Sequence, residues 1–561
     1  MPTSHVMTVR LFHGIWLIQV ALCFTLLQIA SQSADKPTTP NPTDPTPNPI
    51  NSSPTITAVV AITDDPYPVK KMKTRHPANR SIKRGRSEYG YQNNNNATVN
   101  PTTDSFRTRN RHGSVATDAA AVENIEIRKT SAIVPGDIML GGLFPVHNKG
   151  VRTACGEIQA DRGVQRLEAM LFAIDKINKD KSLLRDVKLG ANIMDTCSRD
   201  TYALEQSLEY VRASLSSLDA GTYICADGSR AVPANSPVPV VGVIGGSYST
   251  VSIQVANLFR LFRIPQISYA STSAALSDKS RFDYFARTVP PDNFQAKAIA
   301  DIVRSFNWTY VSTVASEGNY GEMGIESFKQ EATVRNICIA VHRKVIQSAT
   351  PDDFDDVIES LLEQSMARVV VLFLRVEDAS NLLLAARRRN DTDHFVWIAS
   401  DGWGSQDMPV RNKEYVAEGA LTIELQSTAL VPFDRYFMSL NPDNNKRNPW
   451  FVEYWQSTFA CRLRTDDPDE ANATYCSGAE RISPVVYKQE TKIQFVYDAV
   501  YALAYALDNM FMDHCGKYKG RKNRKRCIQS MRIDGRSLFY DYLLNVSFNG
   551  KDRSINISMQ F

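Results

Sequence analysis

The chain has 561 residues, 43% of them apolar and 22% charged, a composition typical of a folded globular protein with two or three hydrophobic cores. Its 64 basic and 60 acidic residues nearly balance, and no basic face interspersed with aromatic residues indicates a nucleic-acid partner. The overall charge therefore gives no indication of any polyanionic partner.

Residues 1–33 have the pattern of a secretory signal peptide. Arg10 precedes an apolar stretch from Ile15 to Leu27, and small residues such as Ala30 follow it. A signal anchor is the alternative, but polar side chains such as Gln19 keep the stretch below the ~20 apolar residues that a bilayer span needs. We therefore expect cleavage and export, and no later stretch reaches the length and apolarity of a membrane span.

Residues 34–128 are rich in Pro, Thr and Asn and show no sustained periodicity, so we predict a disordered extension. Within it, Lys70 to Arg86 carries eight basic residues and no acidic one. We interpret this run as a solvated basic linker. The alternatives are a segment that binds an acidic surface and a processing site at Lys83 and Arg84.

From Asp137 onward, short β-branched runs alternate with amphipathic stretches, which predicts an α/β fold of parallel strands covered by helices. There are too many such units for one small sheet, so we expect two α/β lobes. In the first helix, Arg162 and Arg166 lie four residues apart and project from one side. The strand candidates are Ile138 to Phe144, Val240 to Ile244, Gln266 to Tyr269, Thr309 to Ala315, Arg368 to Leu374 and Phe395 to Ala399.

Two strand ends are rich in glycine and hydroxyl groups. Val243 to Thr250 runs from a strand through a Gly pair into hydroxyl residues and a helix, an arrangement that suits a carboxylate. It has neither the Gly-Lys-Ser/Thr end of a Walker loop nor the GxGxxG spacing of a dinucleotide turn. Ser268 to Ser273 is a second hydroxyl-rich strand end. Taken singly, each segment is better explained by simple helix capping.

Acidic residues occupy two further positions of this kind. Asp401 follows the strand that ends at Ala399, and Asp292 follows a Pro pair. Each could be a turn or cap residue, but each could also hold an ammonium group. Together with the hydroxyl-rich turns and with Arg162 and Arg166, these acids predict a binding site whose ligand is a small zwitterion with a second acidic group.

Catalytic, metal and cofactor sites are not predicted. The candidate pocket offers no Ser/His/Asp or Cys/His set, and the chain has only eight His. No CxxC motif or His cluster indicates zinc. We therefore predict a binding protein without enzymatic activity.

Cysteines and sequons agree with export. Apart from Cys23 in the leader, eight cysteines remain, which allow about 105 pairings. The close pairs Cys461 with Cys476 and Cys515 with Cys527 fit short stapled loops. Glycosylation sequons in the folded region lie at Asn307, Asn390, Asn472, Asn545 and Asn556.

From about Gly136 to its end, the chain resembles the amino-terminal domain of metabotropic glutamate receptors, a class C family of G-protein-coupled receptors, and particularly their group II branch. The motifs that carry the resemblance include Cys155-Gly156-Glu157-Ile158, Arg162-Gly163-Val164-Gln165-Arg166, Asp195-Thr196-Cys197-Ser198-Arg199-Asp200, Gly245-Gly246-Ser247-Tyr248-Ser249, Glu317-Gly318-Asn319-Tyr320-Gly321 and Asn448-Pro449-Trp450-Phe451.

The resemblance implies a bilobed clamshell of the periplasmic-binding-protein type I (Venus flytrap) kind over residues 129–561, which closes on L-glutamate. Lobe 1 would comprise about 129–290 and 426–555, and lobe 2 about 291–425. The implied ligand contacts are Ser249 and Thr272 for the α-carboxylate; the Ala270 carbonyl, Asp292, Asp401 and the Tyr320 ring for the ammonium; Arg162, Arg166 and Lys492 for the distal carboxylate; and Ser271 and Arg375 as secondary contacts.

The same resemblance implies partners for the cysteines. Cys155 would pair with Cys197, Cys461 with Cys476, and Cys515 with Cys527, whereas Cys225 would link two protomers. Cys338 would be an orphan thiol, because its partner module is not part of this sequence.

The resemblance also places the domain on the extracellular face of the plasma membrane, with a G protein engaged only through a membrane domain outside this sequence. Because the sequence stops at Phe561, we expect the final strands of lobe 2 to be missing. A secreted amino-acid-binding protein without signalling is the alternative.

Overall fold

Two six-stranded sheets form the framework of the computed structural model, which describes residues 56–59, 131–219, 238–390, 393–464, 474–549 and 556–558. The predicted signal peptide and most of the predicted disordered extension lie outside these ranges. Among the described residues, no helix combines the length and the apolar character that crossing a membrane requires.

The strands are β1 (Ile56–Val59), β2 (Ser131–Val134), β3 (Ile138–Phe144), β4 (His147–Lys149), β5 (Cys155–Ile158), β6 (Leu189–Asp195), β7 (Val240–Gly245), β8 (Gln266–Ser268), β9 (Phe285–Arg287), β10 (Tyr310–Ser316), β11 (Cys338–Val345), β12 (Val369–Phe373), β13 (Val396–Ala399), β14 (Leu421–Leu425), β15 (Ser547–Asn549) and β16 (Asn556–Ser558). All six predicted strands are present, with ends within a residue or two of those expected.

The helices are α1 (Arg166–Lys179), α2 (Asp200–Asp219), α3 (Ser249–Phe259), α4 (Asp292–Ser305), α5 (Asn319–Val334), α6 (Pro351–Leu362), α7 (Val376–Arg389), α8 (Val431–Met438), α9 (Phe451–Phe459), α10 (Ile493–Cys515), α11 (Arg521–Ser530) and the short α12 (Gly535–Ser537). A π-helical turn, Ala160–Gln165, leads into α1.

Lobe 1 is built on the sheet with strand order β2-β6-β3-β7-β8-β9, which is parallel except for β2. All seven residues of β3 are buried, as expected for a central strand covered on both faces. One face packs on α1 and α10 through residues such as Leu171 and Leu503. The other packs on α2 and α3 through residues such as Tyr210 and Val255.

Lobe 2 is built on the sheet with order β1-β14-β13-β12-β10-β11, which is parallel except for β1. Its faces are covered by α6 and α7, with Ile358 and Leu382 in one core, and by α4 and α5, with Ile299 and Phe328 in the other. Helices α8 to α11 follow β14 in the chain, and α10 packs on lobe 1. The α/β class and the two-lobed architecture are therefore confirmed.

Strand β1 was not expected, because Ile56–Val59 belongs to the segment predicted to be disordered. It pairs antiparallel with β14, from Ile56 opposite Leu425 to Val59 opposite Thr422. The sequence Ile-Thr-Ala-Val is rich in β-branched residues, and an open sheet edge can pair with an extended segment of this kind.

Three disulfides join Cys155 to Cys197, Cys461 to Cys476 and Cys515 to Cys527, which is the pairing that the family resemblance implied. Cys338, at the start of β11, is exposed and has no disulfide partner among the described residues. Cys225 lies outside those residues, so its link between protomers stays a prediction.

Three of the five predicted glycosylation sites have side chains that the structure describes. Asn307, Asn390 and Asn545 are exposed, as a glycosylated asparagine must be. Asn556 lies in β16, where the structure describes the backbone alone. Asn472 lies outside the described residues. Glycosylation at these positions stays a prediction.

Candidate ligand-binding site

A cavity of about 80 Å³ lies between the two lobes. This volume exceeds the ~10–15 Å³ that a single water needs, so a small solute can occupy it. Nine of the eleven residues predicted to bind ligand line the cavity, namely Arg162, Arg166, Ser249, Ala270, Thr272, Tyr320, Arg375, Asp401 and Lys492. The other two, Ser271 and Asp292, are buried but are not part of its lining.

The turn between β7 and α3 places hydroxyl groups at the cavity. Gly245 and Gly246 have φ angles of 136° and 75°, and a Cβ on Gly246 would lie 2.0 Å from the Ser252 Oγ, so only glycine fits there. No side chain caps the start of α3. Instead, the Ser249 Oγ accepts a hydrogen bond of 3.2 Å from the Ser273 backbone N–H. Simple capping therefore does not explain the first hydroxyl-rich segment.

The second hydroxyl-rich segment has a mostly structural role. The Ser268 Oγ donates to the Gly246 carbonyl at 2.7 Å, and the Ser271 Oγ lies 2.8 Å from the Ser252 Oγ. Ser273 caps a short 3-10 helix by accepting from the Ala275 N–H. These bonds join the two turns, so Ser271 positions the site without facing the cavity, and Thr272 is the hydroxyl residue of this segment that lines it.

Two buried carboxyl groups share one amide. The Gln295 Nε2 donates to the Asp292 Oδ1 at 3.0 Å and to the Asp401 Oδ1 at 2.9 Å. The hydroxyl of Tyr320, near the start of α5, donates to the same Asp401 oxygen at 3.0 Å. The Asp292 Oδ2 is shielded from solvent and makes no hydrogen bond of standard geometry within the described part of the chain.

The pKa values of the two acids are shifted in opposite directions. Burial, reinforced by repulsion from Asp401, raises the pKa of Asp292 well above its usual range. Burial alone would also raise the pKa of Asp401, but attraction to Lys492 and hydrogen bonds from Gln295, Lys492 and Tyr320 outweigh it and lower that pKa. Between these two pKa values, Asp401 is therefore ionised while Asp292 still carries its proton.

Lys492, just before α10, connects lobe 1 to lobe 2. Its Nζ donates to the Asp401 Oδ2 at 3.0 Å and to the Glu424 Oε1 at 3.1 Å. Burial alone would lower the pKa of Lys492, but the two carboxylates outweigh it and raise the pKa to about 12. The predicted partner of Lys492 was the distal carboxylate of a ligand. In this structure, two carboxylates of lobe 2 already hold it.

Arg166 makes the predicted bidentate fork, but with a protein carboxylate. Its Nε and Nη2 donate to the two oxygens of Glu490 at 2.9 and 2.7 Å, and its Nη1 donates to the Ser247 Oγ at 2.6 Å. These bonds use three of the five guanidinium N–H groups, so the remaining two are available to a ligand.

Arg162 reaches across the cleft. Its Nη2 donates to the Gly402 carbonyl of lobe 2 at 3.1 Å. It lies in the π-helical turn before α1, so its spacing from Arg166 is not that of a regular α-helix. Arg375, on the lobe 2 side, is held by Asp378 at 2.9 Å.

Sequence reasoning did not identify Glu424, Glu490 and Gln295. Glu490 lies 324 residues from Arg166 in the chain, and Gln295 lies 106 residues from Asp401. No local motif marks any of the three. Glu424 carried one weak signal, because it is the one charged residue of its strand, and a buried charge needs a partner of opposite charge.

The fold and the cleft between its lobes agree with the comparisons to known proteins. Residues 165–557 match the family described as "Receptor family ligand binding region", and the chain belongs to that family. It is 51% identical over 457 residues to a protein named "Metabotropic glutamate receptor" from Drosophila melanogaster, covering 74% of this chain and 47% of the relative.

Vertebrate relatives give a similar result. The chain is 49% identical over 420 residues to proteins named "Metabotropic glutamate receptor 8" from Rattus norvegicus and Homo sapiens, covering 74% of this chain and 45% of each relative. The resemblance to metabotropic glutamate receptors is thus confirmed. The chain spans about half the length of these curated relatives.

Proposed function

We propose that this chain is the extracellular L-glutamate-binding domain of a metabotropic-glutamate-type G-protein-coupled receptor. One observation carries the proposal: the cavity between the two lobes described above combines cationic, hydroxyl and acidic groups that match the three polar groups of glutamate. The relatives named above are receptors for glutamate by name, which supports the same conclusion.

The α-carboxylate of the ligand would bind to the hydroxyl groups of Ser249 and Thr272 and to the backbone N–H groups at the start of α3. Its ammonium group would bind between Asp401, the Tyr320 ring and the Ala270 carbonyl. Asp292, the more readily protonated of the two acids, would contribute by ionising when the ammonium group binds beside Asp401.

The distal carboxylate would bind to Arg162 and to the free N–H groups of Arg166. The Arg166–Glu490 pair is almost fully buried, so it keeps the guanidinium fixed in the absence of ligand. Lys492 would contribute by its charge while it stays bound to Asp401 and Glu424.

A ligand in this cavity would touch both lobes and so stabilise the closed arrangement more than an open one. Such a difference in contacts is what allows a ligand to shift a conformational equilibrium. We propose that closure is transmitted through a homodimer linked at Cys225, and that a membrane domain outside this sequence engages the G protein.

Calorimetric titration of the secreted protein tests the proposal. We expect L-glutamate to bind and L-glutamine, which lacks the distal negative charge, to bind at least about 100-fold more weakly. Thr272→Ala removes a hydroxyl from the buried site and should cost ~1–3 kcal/mol of glutamate binding.

Thr333→Ala, at an exposed position of α5, is the matched control and should leave glutamate affinity unchanged. Equal binding of glutamate and glutamine would reject the arginine site for the distal carboxylate. A folded protein that binds neither would reject the proposed function.

A further inference from the structure

A strongly basic segment follows α10 and is closed by the disulfide between Cys515 and Cys527. We define the basic segment as residues 516–526. It contains seven basic residues and no acidic one: Lys517, Lys519, Arg521, Lys522, Arg524, Lys525 and Arg526. The whole chain has an excess of only four positive charges, so without this segment its net charge would be negative.

Lobe 1 holds the basic segment in place. Besides the disulfide, the buried side chain of Ile528 anchors α11 to the lobe 1 core. Two of the seven cations are paired with lobe 1 acids: the Arg521 Nε lies 2.7 Å from the Asp186 Oδ1, and the Lys525 Nζ lies 3.4 Å from the Asp137 Oδ1. These contacts fix the direction in which α11 displays its other side chains.

Four of the five remaining cations are exposed and are not neutralised by acidic groups of the described residues. Lys517, Lys519, Lys522 and Arg526 are exposed, and none of them forms an ion pair within the described part of the chain. Lys522 and Arg526 lie four residues apart on α11 and so share one face, where like charges repel and cost stability. Such a concentration of uncompensated charge is an electrostatic site for an anionic partner.

We propose that the basic segment binds a sulfated polysaccharide. The cations of α11 lie between Arg521 and Arg526, a rise of ~7.5 Å along the helix, and Lys517 and Lys519 precede them, so the segment can contact several sulfate groups of one polymer chain. Short Lys/Arg-rich segments of this kind are typical of heparin-binding patches, and cations form strong charge-assisted hydrogen bonds with oxyanions. The disulfides place the segment in an oxidising compartment, as expected for the outside of a cell.

A phospholipid surface fits the segment less well. Helices that lie in a membrane interface need an apolar face to insert between lipids. The one aliphatic side chain of α11, that of Ile528, is buried in lobe 1, and Cys527 is in a disulfide. The exposed face of α11 is therefore entirely polar, which favours a soluble polyanion.

Binding of the secreted full-length chain to immobilised heparin tests the proposal. The triple variant Lys519→Gln, Lys522→Gln and Arg526→Gln removes three exposed cations that have no ion-pair partner among the described residues. We expect binding about 100-fold weaker than that of the parent, with a shallower dependence on salt concentration. Unchanged heparin binding by this variant would overturn the proposal.

Two controls separate this site from general electrostatic attraction. The variant Lys297→Gln, Arg304→Gln and Lys446→Gln removes three exposed cations elsewhere and should bind heparin like the parent protein. Neutralising Lys70, Lys71 and Lys73 tests the second basic run of the chain and should have a small effect. An equal loss of binding in either control would overturn the assignment to the basic segment.

The chemistry of the partner is tested with two further probes. Desulfated heparin should bind much more weakly than heparin, because it has lost most of the groups that the cations contact. Vesicles containing phosphatidylserine should bind more weakly than heparin. Vesicle binding as strong as heparin binding, with the same loss in the triple variant, would identify a membrane surface and reject the polysaccharide.

Glutamate titration of the triple variant should be unchanged, which shows that the fold is intact and keeps this test independent of the proposed function.

Discussion

Asp292 and Asp401 show how neighbouring residues of one type acquire different roles. Both are buried and both accept from Gln295, but only Asp401 contacts Lys492. Attraction to Lys492 offsets part of the free energy that burying the Asp401 carboxylate costs. Repulsion from that carboxylate then disfavours ionisation of Asp292. A ligand ammonium group beside this pair would supply the missing positive charge, so ligand binding and ionisation of Asp292 should be coupled.

The variant Asp292→Asn tests this coupling. Because the folded-state pKa of Asp292 is raised, its contribution to stability is present at low pH and is lost as pH rises from its usual value of 3.8 through the raised value. The variant should not lose this stability as pH rises. Without ligand at neutral pH, it should therefore have a higher thermal unfolding midpoint than the parent. It should also bind glutamate about tenfold or more weakly, since a charge partner of the ammonium is gone.

Thermal unfolding between pH 4 and pH 8, with and without glutamate, measures both effects of Asp292→Asn. Parallel pH profiles of the parent and the variant would show that Asp292 is not a buried acid with a raised pKa. Unchanged glutamate affinity would remove Asp292 from the site.

At the scale of elements, a buried histidine connects three of them in lobe 1. His147 opens β4, its Nδ1 lies 2.5 Å from the Asp195 Oδ2 at the end of β6, and its Nε2 lies 3.2 Å from the Glu453 Oε2 on α9. Burial alone would lower the pKa of His147, but the hydrogen bonds and charges of the two carboxylates outweigh it and raise the pKa to about 9. The histidine is therefore a cation at neutral pH.

His147→Asn should destabilise the protein at neutral pH and make its stability less dependent on pH in the alkaline range. With a raised pKa, the contribution of His147 is fully present below its usual value of 6.5 and is lost as pH rises through about 9. The difference corresponds to about 3 kcal/mol. Thermal midpoints of both proteins from pH 6 to pH 10 should therefore converge, and a constant gap between them would contradict the raised pKa.

How far the elements could be predicted depended on their burial. Central strands such as β3 and β12 are continuous apolar runs, because helices cover both faces of the sheet, and the sequence predicts them directly. β6 was missed because Gly190 and Asn192 lower its strand propensity. The half-exposed edge strand β11 and the Glu-containing β14 carried no clear periodic signal.

At the scale of the whole molecule, few polar contacts across the cleft hold the lobes together. The ion pairs of Lys492 with Asp401 and Glu424 are the most buried of them, with side chains no more than 7% exposed. Arg162 and Gly402 add a hydrogen bond, and the Ser273 Oγ donates to the Asn319 carbonyl at 2.9 Å. These contacts stabilise the arrangement of the two lobes that the structure shows.

Lys492→Gln should shift the ligand-free protein towards an open arrangement. Closing the cleft would then bury Asp401 and Glu424 without their cation, at a cost of about 3–5 kcal/mol. Small-angle X-ray scattering of the variant should give a larger radius of gyration than that of the parent, and saturating glutamate should reduce the difference. Identical scattering of the two ligand-free proteins would show that Lys492 does not control closure.

The sequence by itself determined the α/β class and the six strands with strong apolar or β-branched character, and its family resemblance added nine of the residues that line the cleft. The strands are local features, because they follow from periodicity and from the chemistry at strand ends. The tertiary structure alone decided the ionic partners: Glu490 for Arg166, and Asp401 with Glu424 for Lys492. It also showed that Ser271 faces away from the cavity and that β1 adds an antiparallel edge strand to the lobe 2 sheet. Buried charges must be paired wherever the fold brings them together, and no local pattern records which residues, hundreds of positions apart, will meet.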